Sequence, residues 1–294
     1  MSAVERRKTV LITGCTPGGI GYALARAFHA RGHVVIATAR RLEVLEDLRR
    51  DGMIALPVDV TKSEEVELCR DKVAEITGGK LDVLINNAGQ THTIPAIDAD
   101  MDEVRSTFET NVFGVMVMIK VFSKLLIAAR GRIVNISSLA SIVPYVYGSI
   151  FCATKGAINS YSRTLRQELR PFGVKVTVVM AGFVKTKTNK TYRELPNGSV
   201  YSVVADQFRR RLRYSENTSQ MTPETFADIL VGRLLKDESS IWGNLTRSLN
   251  WVWIGGSAAL VKFVTNWVGE WLLDAVTYRK FELDKLEAIV NKSR

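Results

Sequence analysis

The sequence predicts an α/β fold: a doubly wound, Rossmann-type parallel sheet flanked by helices, with a helical C-terminal extension. Apolar β-branched runs alternate with helical patterns through the first 180 residues, the order that builds a parallel sheet with helices on both faces. A glycine-rich segment, "TGCTPGGIG" at 13–21, follows the first run and opens the first helical pattern. A composition of 46% hydrophobic and 24% charged residues is that of a globular chain rather than a disordered one.

Six strands are readable: "TVLIT" at 9–13, "HVVIAT" at 33–38, "MIALPV" at 53–58, "LDVLIN" at 81–86, "RIVNIS" at 132–137 and "VKVTVV" at 174–179. Helical apolar spacing fills 20–31, 42–50, 63–77, 101–129 and 151–171. Ser63, followed by Glu65, suits an N-cap, and Gly78-Gly79, Gly131 and Pro171 to Gly173 suit helix ends. Beyond residue 185 the pattern loosens, with "YRELPNGSVYS" as loop and 222–236 as a further helix. No repeat or linker interrupts the chain, so 1–294 is expected to form one domain, with 185–220 as a substrate-covering segment and 250–294 as the C-terminal extension.

Forty Lys and Arg against thirty Asp and Glu give a net charge of +10. The basic clusters, Lys185, Lys187, Lys190 and Arg193, then "RRRLR" at 209–213, lack the interleaved aromatics of a nucleic-acid platform, so no nucleic-acid partner is expected. Cys15, Cys69 and Cys152 are odd in number and widely spaced, which argues against a disulfide framework. His29, His33 and His92 share no ligand spacing, so no metal site is expected. The lead "MSAVERRKTVLITG" runs straight into the first strand with no secretory pattern, pointing to a cytoplasmic protein.

A glycine cluster at a strand-to-helix turn lets backbone approach a pyrophosphate and aims N–H groups at it. Gly14, Thr16, Gly19, Ile20 and Gly21 are the candidates here. The residue at the end of the second strand selects the cofactor: an acid would bind a ribose 2′-hydroxyl, whereas Arg40 and Arg41 suit a 2′-phosphate. NADP(H) is therefore expected rather than NAD(H).

With "NNAG" at 86–89, "NVFG" at 111–114, "NISS" at 135–138 and a lysine after "FCAT", the chain resembles the short-chain dehydrogenase/reductase family. The resemblance implies that Asp59 and Val60 flank the adenine, that Asn87, Ala88 and Gly89 line the ribose, and that Gly182, Val184 and Thr186 meet the nicotinamide. Two departures stand out: Ala181 replaces a proline, and the glycine loop has one extra residue before Gly19. By the same resemblance Ser138 holds the substrate oxygen, Lys155 binds the nicotinamide ribose and favours the ionised proton donor, and Asn111 supports a water leading to the lysine. The family's donor is a tyrosine four residues before the lysine and thirteen after the serine; both counts end on Phe151. Each residue alone has a plainer reading, Ser138 and Asn111 as caps and Lys155 as a solvated lysine, but their joint spacing favours the site.

Phe151 keeps the ring and deletes the hydroxyl that general acid catalysis needs. It is open to three explanations. One is an inactivating Tyr→Phe replacement, introduced to trap substrate. Another is a naturally non-redox protein that keeps its nucleotide site for binding or a different reaction. In the last, Tyr145 or Tyr147 takes over as acid.

"NNAGQ" at 86–90, "PAIDAD" at 95–100, "GSI" at 148–150 and "KFELDKL" at 280–286 resemble the fungal subgroup of NADPH-dependent 1-acyldihydroxyacetone-phosphate reductases and secondary-metabolite ketoreductases. That resemblance implies a small-molecule partner: a bulky apolar ketone or alcohol. Lys185, Lys187 and Lys190 suit either a substrate phosphate or a solvated face. The stretch 251–276 has an apolar run of eleven residues before Lys262, too short to span a bilayer, and carries Trp251, Trp253, Trp267 and Trp271. It suits an interfacial helix, a pocket wall or a dimer contact. A homo-oligomer is expected, with peripheral membrane contact on the cytosolic face of the endoplasmic reticulum or on lipid droplets as a further possibility.

Overall fold

The structure is a computed structural model that describes residues 7–186, 193–218, 221–239 and 249–292. Its first half alternates β1 (Thr9–Thr13), α1 (Ile20–His29), β2 (Val34–Ala39), α2 (Glu46–Arg50), β3 (Ile54–Pro57), α3 (Ser63–Thr77) and β4 (Val83–Asn86). There follow α4 (Met101–Phe108), α5 (Gly114–Ala129), β5 (Arg132–Ile136), α6 (Ser149–Leu169) and β6 (Lys175–Ala181). The C-terminal part holds α7 (Ala205–Thr218), α8 (Pro223–Ser239), β7 (Trp251–Ile254), α9 (Ala258–Trp267), α10 (Glu270–Lys280) and α11 (Leu283–Lys292).

The seven strands form one parallel sheet in the order β3-β2-β1-β4-β5-β6-β7. Both faces of such a sheet are covered, so its strands read as continuous apolar runs in which alternate residues serve opposite cores. Val10 and Ile12 of β1 join Leu24 and Phe28 of α1 and Phe226 and Leu230 of α8, whereas Leu11 faces the cluster of Val66 and Val73 from α3 and Phe122 and Leu126 from α5. The order reverses between β1 and β4, which opens a crevice at the carboxyl ends of those two strands.

Four details differ from the sequence reading. Residues 251–254, expected in a helical extension, form β7, in register with β6 from Val178↔Trp251 to Ala181↔Ile254. Four residues are too few to display a period, and Gly255, at φ 111°, ends the strand where the helical pattern resumes. The expected 101–129 helix is interrupted by a π turn at Glu109–Phe113. Apolar and long enough to cross a membrane, that segment instead buries Val115, Met118, Ile119 and Phe122 in the core. Ser63 caps nothing; the Glu65 carboxylate reaches back to accept from the Asp59 N–H at 2.8 Å. A single 3-10 turn at Leu42–Leu45 precedes α2, so only half of 42–50 is α-helical.

Candidate active site

The two strand ends at the crevice are clamped to each other. Thr13, the last residue of β1, accepts at its Oγ1 from the N–H groups of Asn87 and Ala88, both at 3.0 Å. The Asn87 side-chain amide donates to the Thr13 carbonyl at 2.8 Å and to that of Gly14 at 3.1 Å. The approach is too close for larger residues. A Cβ on Gly21 would lie 2.5 Å from Asn87 Nδ2 and 2.6 Å from the Gly14 carbonyl oxygen; one on Gly14, at φ 73°, would lie 2.8 Å from Ala88 Cα.

Two of the candidate residues also have structural partners here. Asn87 turns its amide onto the β1–α1 turn, where it satisfies two backbone carbonyls and braces the crevice. The Gly19 N–H donates to the Thr16 carbonyl at 3.1 Å, closing a turn. The N–H groups of Ile20 and Gly21 remain, since the first turn of α1 offers them no helical acceptor. Thr16 is exposed beside them, and Gly18, not singled out in the sequence, adopts φ 76° at the apex.

Arg40 and Arg41 follow β2, exposed and, among the described residues, with neither ion pair nor hydrogen bond from their side chains. Asp59 holds one carboxylate oxygen against the Thr61 N–H and hydroxyl, at 3.0 and 2.8 Å, which fixes its direction after β3. Val60 is buried beneath it, where a Cβ on Gly114 would come within 2.8 Å of its Cγ2. At the end of β6, Gly182 donates its N–H to Ile254, and a Cβ there would meet the Gly256 carbonyl at 2.2 Å. Val184 packs on the first core and the Thr186 N–H donates to the Val184 carbonyl. Lys187 and Lys190 lie outside the described residues, and Lys185 donates its backbone N–H to Met221.

The π turn swings Asn111 inward. Its Oδ1 accepts from the Gln90 N–H at 2.8 Å while Nδ2 donates to the Gln90 carbonyl at 2.9 Å and to Thr154 Oγ1 at 3.1 Å. Such bulges recur where a helix must present a side chain to a site. A Cβ on Gly89 would lie 3.2 Å from Asn111 Oδ1 and 3.8 Å from Lys155 Nζ, so the loop after β4, the bulge and α6 converge there. Lys155 is buried, donates to the Ile136 carbonyl at 2.9 Å, and is lowered to about 8 by its burial. One helical turn before it, the Phe151 ring centroid stands 5.7 Å from Nζ, within cation–π reach.

Ser138 ends the β5 loop. Its Oγ accepts from the Ala140 N–H at 3.1 Å, the capping role, and its own proton has no acceptor among the described residues. Asn159 holds this loop from α6, accepting from Ser137 Oγ and donating to Ser141 Oγ, both at 2.7 Å. Beneath it, Asn86 donates to Asn135 and Asn135 to Ser162, each at 2.8 Å, through the buried centre of β4, β5 and α6. Asn159 and Ser162 were not singled out in the sequence, and Thr13 and Asn135 entered it only as members of motifs.

Among the described residues neither alternative tyrosine is hydrogen-bonded to Lys155. Tyr147, at φ 62°, packs its ring edge-on against Tyr201 and Phe208, and burial, with Tyr201 nearby, pushes its pKa up, away from what an acid at neutral pH needs. Tyr145 stands 6.1 Å from the Phe151 ring but is stacked beneath the Arg211 guanidinium at 3.5 Å.

Among the C-terminal tryptophans, Trp267 is 80% exposed and Trp271 65%, whereas Trp253 is half-buried against the third core cluster. The "RRRLR" run is internally engaged: Arg209 pairs with Asp206, Arg210 with Glu282, and Arg211 is buried.

Residues 8–197 match the family model for short chain dehydrogenases. The chain is 39% identical over 284 residues, 95% of each chain, to the short-chain dehydrogenase fogD of Aspergillus ruber. To the NADPH-dependent 1-acyldihydroxyacetone phosphate reductase of Schizosaccharomyces pombe it is 42% identical over 242 residues, 78% of this chain and 80% of that one. Among solved structures it is similar to a tyrosine-to-phenylalanine variant of ElxO with NADPH bound, at 28% identity and a TM-score of 0.58, covering 62% of this chain and 76% of that one. The sheet order, the glycine turn closed on β4 and the loop after β5 tied to α6 thus agree with the sequence matches, and the chain belongs to the short-chain dehydrogenase family of oxidoreductases.

Proposed function

We propose that the site is that of an NADP(H)-dependent reductase of a ketone, or dehydrogenase of the corresponding alcohol, on a bulky apolar substrate, and that Phe151 leaves it without its proton donor. The observation that carries this reading is the set around Lys155: a buried ammonium 5.7 Å from the Phe151 ring, with Gly89 and Asn111 beside it.

The residues present fit the cofactor. Gly14 and Gly21 leave a cradle that a Cβ would fill, Ile20 and Gly21 offer N–H groups there, and Arg40 and Arg41 offer guanidinium forks that are unpaired among the described residues. When bound, NADP(H) supplies or accepts the hydride. The chain's own residues do the rest. Ser138 has a free proton to donate to a substrate oxygen, and Lys155 provides positive charge where a phenol would ionise. A tyrosine at 151 would have its pKa of about 10 drawn down by that ammonium. Phenylalanine supplies shape alone. The S. pombe relative's dependence on NADPH supports the cofactor assignment, and the ElxO variant supports NADPH retention without a phenol.

The test is Phe151→Tyr, assayed for NADPH oxidation against a panel of hydrophobic ketones. A positioned general acid contributes about 10² to 10⁴ in rate. An increase of that size over the native chain is expected. The second reading, a natural nucleotide-binding protein without redox activity, rests on Phe151 itself; it is preferred if the revertant binds NADPH and stays inactive across the panel.

The outward stripe of Leu260, Phe263, Trp267 and Trp271 extends this proposal to where the protein works. It is suited to a second copy of the chain or to the cytosolic face of the endoplasmic reticulum or a lipid droplet.

A further inference from the structure

Arg211 of α7 is 2% exposed. Its guanidinium carbon lies 3.5 Å from the Tyr145 ring centroid, 4.5 Å from that of Phe281 and 5.7 Å from that of Tyr214. Tyr145 in turn stands 6.1 Å from the Phe151 ring, so a single aromatic ring separates this cation from the proton donor's position. Nε donates to the Val146 carbonyl at 3.1 Å, but Nη1 and Nη2 are buried without a hydrogen-bond partner. Nor does any carboxylate pair with Arg211 among the described residues; Asp206 and Glu282, nearby on α7 and before α11, are held by Arg209 and Arg210.

A buried guanidinium without a counter-charge is costly, and burial accordingly pushes the Arg211 pKa down. Aromatic faces offset part of that cost. They leave the four N–H donors of Nη1 and Nη2 unused, and a planar pair of such donors matches the two oxygens of a carboxylate or phosphate.

We propose that Arg211 is a specificity-determining residue that receives an oxyanion, a carboxylate or a phosphate monoester, carried by the substrate whose carbonyl is presented to Ser138. Tyr145 and Phe281 form the apolar walls beside that group. The proposal rests on the ketone-reductase reading but is tested without turnover.

Calorimetric titration of the full chain with 4-oxononanoate, its methyl ester and n-octyl phosphate reads it directly, for the native protein, Arg211→Met and Arg211→Lys. The native chain is expected to bind the acid or the alkyl phosphate about tenfold or more tightly than the ester, and which of the two wins identifies the oxyanion. Arg211→Met should lose that preference while binding the ester and NADPH as before, and should melt no lower than native, since an unpaired buried charge has been replaced by an apolar chain of similar length. Arg211→Lys, with the charge but not the fork, should keep part of the preference. Equal binding of all three probes by the native chain, or an undiminished preference in Arg211→Met, overturns the proposal. Should Arg211→Met fail to fold, the native preference and its reduction in Arg211→Lys decide it. Failure to bind NADPH would count against the reductase reading alone.

Discussion

Lys155 shows how one residue's burial becomes a measurable property. Held at about 8 by desolvation, it stands against a value of about 10.4 in an unfolded chain. Between those values the unfolded chain binds a proton that the folded one does not, so the residue's contribution to stability rises with pH across that window. Below pH 8 the folded protein must carry the buried ammonium. The difference in unfolding free energy between the native chain and Lys155→Met, from urea titrations, should therefore shift in favour of the native chain by about 1 to 3 kcal/mol from pH 7.5 to 10.5. A difference that does not move with pH would refute a perturbed lysine. Sequence spacing pointed to Lys155, Phe151, Ser138 and Asn111 as candidates. It gave no sign that the ammonium is tied to the Ile136 carbonyl, because that partner lies nineteen residues away on another element.

At the scale of elements, the proposed cofactor site is divided between the β1–α1 turn and the end of β2. The turn depends on close contact: Gly14 and Gly21 bring backbone against Asn87 and Ala88. The end of β2 depends on charge, with Arg40 and Arg41 exposed and unpaired among the described residues. Charge-assisted hydrogen bonds to a phosphate contribute about 1.5 to 3 kcal/mol each, so NADPH should bind more tightly than NADH in a tryptophan-fluorescence titration. The double substitution Arg40→Ala with Arg41→Ala should weaken NADPH by roughly tenfold or more and leave NADH nearly unchanged. Equal affinities of the native chain for the two cofactors would remove the role given to both arginines. The six strands of the first 180 residues were legible because each is a short, predominantly apolar run, whereas β7 and the π turn at Glu109–Phe113 were not, since both answer to neighbours rather than to local pattern.

Over the whole molecule, the C-terminal helices leave an unbalanced surface. α9 and α10 bury Ala258, Val261, Val264 and Leu273 against β6, yet turn Leu260, Phe263, Trp267 and Trp271 outward. Covering a large aromatic side chain is worth about 1.5 to 3 kcal/mol, so these residues together can drive association. The native chain should self-associate in sedimentation velocity or co-sediment with vesicles of phosphatidylcholine and phosphatidylserine. Phe263→Glu with Trp267→Glu should abolish whichever is observed and leave NADPH binding intact. A native chain that is monomeric and stays off the vesicles would leave the stripe without the proposed use.

What the sequence determined by itself was the alternation of strands and helices, the glycine turn, the basic pair after β2 and the spacing that leads from Ser138 to Phe151 and Lys155, because each is a local or ordered feature of the chain. The tertiary structure alone decided that Asn87 braces the crevice, that 251–254 extends the sheet and that Arg211 is buried with no carboxylate paired to it among the described residues. Those outcomes depend on which distant backbone carbonyls, strand edges and carboxylates packing brings within reach, and no periodicity in the chain encodes such encounters.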